Sequence, residues 1–250
     1  MKPYGKTGTI IFNHSNMLTP IEKEKYNRQL ILPDYSGVHQ VKLKNAKVLV
    51  VGAGGLGSVV LTYLSRTGVG TIGIVEFDTV DISNLHRQVL YNENEIGSSK
   101  LELAVKQLKA GNSNTHLIPF YEKLCEDNVI KIFNEYNIIV DCSDNFPTRY
   151  LVNDTSLKLG KPVVFASVAN YEGQVTILNH KKNVNYREIF SCKPENTPVK
   201  GVIPTLLPIV GGIQANEVIK MITGHGKTLD GKILIYNALN NKQHILDIKE

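Results

Sequence analysis

Val48–Val51 is an unbroken apolar run rich in β-branched residues, the centre of a strand that the pattern predicts over Ala46–Val51, buried on both faces of a parallel sheet. The apolar period then switches repeatedly. Beyond a turn at Gly52–Gly57, Ser58–Thr67 has helical spacing and Thr71–Glu76 reads as a second strand. Lys100–Ala110 predicts a helix, His116–Phe120 a strand, Glu126–Tyr136 a helix and Asn137–Cys142 a strand. Thr148–Leu159 predicts a helix stopped by Gly160, with Pro162 opening the next strand. This alternation gives the fold class: α/β, a doubly wound, mostly parallel sheet with a Rossmann-like nucleotide-binding half.

The two ends read differently. Residues 1–20 are rich in Gly, Thr, Asn and Pro and form a loose lead-in. Ile21–Leu32 looks helical up to Pro33, and a polar connector leads from there to Ala46. Gly173–Leu178 reads as a strand, and Asn179–Val202 as a long polar stretch, the kind of loop that often serves as a lid or binding segment. Ile209–Ile222 is expected to be a helix, and Lys232–Tyr236 and Gln243–Ile248 to be antiparallel C-terminal strands. The expected organisation is one domain over 21–250, with a nucleotide half at 21–160 and a substrate-binding half at 161–250.

Composition narrows the classes. The 250 residues are 42% hydrophobic and 20% charged, which suits a packed core. The net charge of +5 is spread without a basic run interleaved with aromatics, so nucleic acid is not expected as a partner. The chain has no apolar run of the roughly 20 residues that span a membrane, and the Ile10–Phe12 patch is too short for a signal segment, so a cytoplasmic protein is expected. Cys125, Cys142 and Cys192 are too scattered for a disulfide framework, and without CxxC or HxxxH spacing no zinc site is expected.

Gly52-Ala53-Gly54-Gly55-Leu56-Gly57 fits G-x-G-x-x-G between a strand and a helix. Glycines there allow a tight turn and close approach of phosphate to a helix N-terminus. Glu76, ending the second strand, stands where an acid usually accepts from ribose hydroxyls. The motif alone leaves nicotinamide, flavin and ATP open. Asp78 and Asp81 precede Ser83-Asn84-Leu85-His86-Arg87-Gln88, Lys100 follows, and Asp141-Cys142-Ser143-Asp144-Asn145 closes a later strand. Cations with a carboxylate at the C-terminal rim of a parallel sheet suit a triphosphate and magnesium held by Asp144 better than hydride transfer.

At these residues the sequence resembles the ThiF/MoeB/HesA family, relatives of ubiquitin-activating enzymes. The resemblance lies in RQLIL at 28–32, VGAGGLGS at 51–58, ISNLHRQ at 82–88, GSSK at 97–100, DCSDNFPTRYLVND at 141–154, EGQVTIL at 172–178 and GGIQANEVIK at 211–220. It implies a homodimer that adenylylates the C-terminal carboxylate of a ubiquitin-like sulfur-carrier protein ending in Gly-Gly, in thiamine or molybdopterin biosynthesis, with a sulfur donor protein possible. It implies ATP on Gly52, Gly54, Gly55 and Gly57, its ribose on Glu76, with Asp78, Ser83 and Asn145 close by. Asn84, Arg87 and Lys100 would contact phosphates, Asp144 would position Mg²⁺, and Arg28 would enter the neighbouring subunit's site.

The sequence also departs from that family. Asn185-Tyr186-Arg187-Glu188 stands where the first zinc CxxC would be, and Thr197 where a crossover-loop cysteine is usual, with Cys192 five residues earlier. Adenylation needs no cysteine, so that step is unaffected, while a covalent thioester or persulfide on the enzyme lacks its usual thiol. Apolar side chains near Phe165–Tyr171 are expected to grip the carrier. An adenylating enzyme that modifies a small ribosomal peptide is the alternative; a dehydrogenase and a silent dimerising module are more distant rivals.

Overall fold

The computed structural model describes residues 17–190 and 201–248. Helices α1 (Pro20–Lys25), α2 (Asn27–Leu30) and α3 (Gly37–Asn45) precede β1 (Lys47–Val51), α4 (Gly55–Thr67) and β2 (Thr71–Val75). Two short 3₁₀ turns at Ile82–Asn84 and Glu93–Glu95 lead to α5 (Lys100–Gly111), β3 (His116–Phe120), α6 (Glu126–Asn134), β4 (Ile138–Asp141) and α7 (Phe146–Leu159). Then come β5 (Val163–Ala169), β6 (Glu172–Leu178), α8 (Tyr186–Ile189), α9 (Leu206–Thr223), β7 (Lys232–Asn237) and β8 (Lys242–Asp247).

The strands form one sheet in the order β3-β2-β1-β4-β5-β6-β7-β8. The first five are parallel, and β6, β7 and β8 add on antiparallel. The predicted α/β class and the change to antiparallel strands are therefore both observed. Chain direction away from β1 reverses between β1 and β4, and the crevice at that switch point is where such sheets bind ligands.

Each face of the sheet has its own core. Val48, Val50, Ile72 and Ile74 pack against Leu61 and Leu64 of α4, Leu101 of α5 and Val210 and Val218 of α9. Leu49, Val51 and Ile139 face Ile132 and Phe133 of α6, Val152 of α7 and Tyr186 of α8. Strand residues pointing alternately into two apolar layers explain why β1 reads as a continuous apolar run rather than an alternating one.

Three sequence expectations need correction. The helix expected over Ile21–Leu32 is two short helices that meet at Tyr26, whose ring is buried and whose hydroxyl accepts from Asn112 Nδ2 at 2.9 Å. The connector from Pro33 to Ala46 contains α3, which begins in a cap where Ser36 N–H donates to His39 Nδ1 at 2.9 Å and which buries Gln40 and Leu43. The loop expected over Asn179–Val202 contains α8. Asn185 caps it, Tyr186 N–H donates to Asn153 Oδ1 at 2.8 Å, and Arg187 forks onto Asp154 at 2.9 and 2.6 Å while lying over the Tyr150 ring. Ile10–Phe12, Cys192 and Thr197 lie outside the described residues, as does most of the lead-in; α1 itself starts at Pro20, behind a capping box between Thr19 and Glu22.

Candidate active site

The glycine turn leaves β1 at the switch point. Gly52 has φ +94°, a conformation that favours glycine, and its N–H donates to Val75 O at 2.9 Å. A Cβ on Gly57 would stand 2.0 Å from Gly52 O, so only glycine lets α4 start this close to the turn. Gly54 is the N-cap of α4 and supplies no side-chain cap, and the first N–H groups of a helix have no intrahelical acceptor. Those N–H groups and the positive end of the helix dipole suit an anion.

Glu76 is buried at the end of β2. Its Oε2 accepts from Ala53 N at 2.8 Å, and its Oε1 accepts from Phe77 N at 2.8 Å and Asp78 N at 2.9 Å. A carboxylate has about four acceptor sites, so one remains on Oε2 for a ribose hydroxyl. Most of the acid's capacity thus goes to shaping the two turns around it.

Lys100 opens α5 with its side chain only 6% exposed. Among the described residues its Nζ makes one ion pair, with Asp78 Oδ2 at 3.5 Å, whose side chain is 54% exposed, and the charge of Asp81 acts on it from further away. A buried ammonium with one long contact is under-neutralised, and added anionic charge would complete it. Arg87 Nη1 donates to Ser83 O at 2.8 Å, which folds the guanidinium back on its own turn while Ser83 N donates to Asp81 Oδ1. Asn84 O accepts from the N–H groups of Arg87 and Gln88, both at 3.0 Å.

Across the crevice, β4 ends at Asp141. Burial raises the pKa of this carboxyl, while two bonds that the Ser143 hydroxyl and backbone N–H donate to its Oδ1 and the charge of Arg149 oppose the rise. Asp144 and Asn145 follow on the exposed rim. Asn145 is the N-cap of α7, its Oδ1 accepting from Thr148 N at 3.0 Å; its predicted place near the nucleotide therefore competes with a helix cap. Among the described residues Asp144 Oδ1 has only a 3.5 Å contact from Asn145 Nδ2. An open rim carboxylate fits Mg²⁺, which usually takes one or two carboxylates together with substrate phosphates. Among the described residues no group of three or more His, Cys, Asp or Glu is placed to hold a metal by itself.

The turn, Glu76, Asp78, Lys100 and Asp144 all lie at the C-terminal ends of β1, β2 and β4 or just beyond them. Arg28 does not join them. It is exposed on α2, whose Gln29 donates to Thr67 O at the far end of α4. Thirteen residues of helix put that end roughly 20 Å from the glycine turn. Phe165 is buried in the core and unavailable to a partner, whereas Tyr171 is exposed. Sequence reasoning missed Arg149, whose Nη2 donates to Ser143 O at 3.1 Å, and Gln214, whose Nε2 donates to Asp141 O at 2.8 Å and Val164 O at 3.0 Å. Both fall inside quoted motif segments, but nothing in their spacing says what they touch.

Cys142 is buried, and burial first, then the nearby Asp141 charge, pushes its thiol well up, so it is no nucleophile; Cys125 is exposed. Two cavities, of about 290 and 510 Å³, lie between α4 and α5 and at the N-terminal ends of β1, β4 and β5. Neither includes the turn. Among the described residues no helix is long and apolar enough to cross a membrane.

The ThiF family model matches residues 26–250. The chain belongs to the ThiF family. This ThiF-family protein is 43% identical over 231 residues to the sulfur carrier protein adenylyltransferase of Thermus thermophilus, covering 88% of this chain and 85% of that one. It is 41% identical over 241 residues to adenylyltransferase and sulfurtransferase MOCS3 of Xenopus laevis, covering 94% of this chain and 53% of MOCS3, so it spans about half the length of that relative. Both relatives carry the adenylyltransferase name that the sequence reading leads to. A crystal structure of PaaA superposes with TM-score 0.78 at 26% identity, covering 97% of this chain and 78% of that one. Escherichia coli MccB with MccA-N7isoASN gives TM-score 0.82 at 22% identity, covering 91% and 72%, a likeness of fold.

Proposed function

We propose that this protein adenylylates the C-terminal carboxylate of a ubiquitin-like sulfur-carrier protein ending in Gly-Gly, using ATP. The single observation that carries the nucleotide half of this reading is the buried, under-neutralised Lys100 facing the crevice rim beyond an uncapped helix N-terminus. The name of the Thermus thermophilus relative supports the carrier half.

In the reaction a carboxylate oxygen of the carrier attacks the α-phosphorus. A new P–O bond forms, the bond to the bridging oxygen breaks, and pyrophosphate leaves with that electron pair. The carboxylate is ionised near pH 7, so no general base is required. The N–H groups of Gly54 and Gly55 would receive phosphate oxygens, and Glu76 Oε2 a ribose hydroxyl. Lys100 and Arg87 would balance charge that develops on the transferring group. Asp144 would hold Mg²⁺, which supplies further neutralisation of the phosphates when bound. Arg28, far from its own turn, would complete the site of a second copy in a homodimer. In this reading the nucleotide would lie on residues 21–160 and the carrier on 161–250.

Pyrophosphate exchange with Mg²⁺ and ATP tests the reading. Carriers of the thiamine and molybdopterin pathways are each supplied intact and with the Gly-Gly tail removed. Exchange that needs the tail is the expected result, and the carrier that supports it identifies the pathway. ATP binding without exchange on any carrier overturns the carrier reading. It then favours a small peptide substrate, a second reading supported by the fold shared with MccB, whose crystal structures include complexes with ATP and with MccA.

A further inference from the structure

The glycine turn is fastened by a residue that lies outside the nucleotide motif. Tyr91 is buried beyond the Asn84–Gln88 turn, and its hydroxyl donates to Ala53 O at 2.7 Å. On the other side of the same residue, Ala53 N–H donates to Glu76 Oε2 at 2.8 Å. The two peptide groups flanking Ala53 are thus held from opposite ends. Ser58 Oγ also lies 3.3 Å from Ala53 O, but its one proton goes to Gly54 O at 2.7 Å. Tyr91 is therefore the main donor to that carbonyl.

A trans peptide is planar, so its C=O and N–H point in opposite directions. Anchoring Ala53 O on the buried side turns the Gly54 N–H toward the open side of the turn. That N–H donates to no acceptor among the described residues. Glycine at 54 leaves the peptide free to rotate once the anchor is lost. Burial first, then the charges of Glu76 and Asp78, raises the Tyr91 phenol far above its usual range, so the hydroxyl remains a donor at any working pH.

We propose that Tyr91 is a positioning residue for nucleotide binding: by holding Ala53 O it aims the Gly54 N–H at a phosphate oxygen before the nucleotide arrives. The inference rests on the ATP reading of this site. Without the hydroxyl, Ala53 O becomes a buried acceptor whose need can be met by rotating the Ala53–Gly54 peptide, and only the unrotated fraction binds well. Tyr91→Phe keeps the ring and removes the bond. It is expected to weaken ATP binding about five- to tenfold, raise the KM for ATP to match, and change kcat for exchange by no more than about twofold.

Titration calorimetry with Mg²⁺ and ATP on the full chain tests this, alongside thermal melts. Tyr26→Phe is the comparison, because it removes another buried tyrosine bond, that from Asn112 Nδ2 to the Tyr26 hydroxyl, at the far end of α4. The expected result is weaker ATP binding in Tyr91→Phe and unchanged binding in Tyr26→Phe, whatever the melts show. Equal affinity in wild type and Tyr91→Phe overturns the inference and leaves the ATP reading standing. Equal weakening in both variants also overturns it, since the cause would then be general loss of stability. A wild-type protein that binds no ATP refutes the ATP reading and the inference with it.

Discussion

Lys100 should destabilise the empty protein and sustain the loaded one. At 3.5 Å and an effective dielectric of about 20, its attraction to Asp78 would be about 5 kcal/mol. Asp78, however, is 54% exposed, and solvent lowers such a pair to about 1 kcal/mol or less. Removing an ammonium from water costs several kcal/mol, so the pair leaves a deficit. Lys100→Met, similar in length and apolar, is expected to stabilise the nucleotide-free protein by about 1–3 kcal/mol, roughly 3–9 °C in Tm for a chain of this size. The same change removes a fixed cation from the transferring phosphate and should cut pyrophosphate exchange about 10²- to 10³-fold. It should also shrink the stabilisation by ATP, which for wild type is about 2.7 kcal/mol at a hundred times Kd, and with it the rise in Tm. Calorimetric melts with and without Mg²⁺ and ATP read both effects on one sample. A variant that melts below wild type without nucleotide, or keeps exchange within tenfold, refutes the reasoning.

Gln214→Leu should lower stability by about 2–4 kcal/mol, because the carbonyls of Asp141 and Val164 lose buried donors; a denaturant titration with an unchanged midpoint would contradict this. Gly57→Ala should abolish ATP binding in calorimetry, since its Cβ would stand 2.0 Å from Gly52 O and push α4 off the turn, and retained affinity would count against the geometry. The Arg187 fork is the main cause holding the Asp154 carboxyl below its usual range, so its contribution is present above about pH 4 and lost as pH falls through the lowered folded value. Amide exchange in α8 should accelerate across that fall, and in Asp154→Asn it should already be fast at neutral pH; an α8 insensitive to both would exclude the tether. Iodoacetamide at pH 8 should label Cys125 and spare Cys142 in the native protein, as peptide mass spectrometry would show.

The central strands β1, β2 and β4 were legible because burial on both faces writes itself as continuous apolar runs. His116–Phe120 has the predicted bounds, and the other strands differ from prediction by one residue or two. Helices with a mixed surface were harder. Residues 37–45 bury only Gln40 and Leu43, too little for a clear apolar stripe, and the usable signal was Ser36 three residues before His39 at the cap. Residues 186–189 form a helix because Tyr186 sits against Phe165 and Tyr150, contacts made by chain segments far away in sequence. In the site, the glycines and Glu76 stood out by spacing. Their support did not, because Tyr91, Arg149 and Gln214 act through bonds to distant backbone carbonyls that no local pattern encodes.

The order of the strands also bears on how the chain reaches this state. Val48 of β1 pairs with Ile138 of β4, ninety residues on, whereas β5 meets β6 and β7 meets β8 across short turns. Closing a long loop costs more entropy than closing a short one, and non-local parallel pairing is slow. The two hairpins should therefore gain amide protection first in a pulsed hydrogen-exchange refolding experiment. The crevice between β1 and β4 should be among the last features to form, so the protein acquires its binding site at the end of folding rather than building upon it.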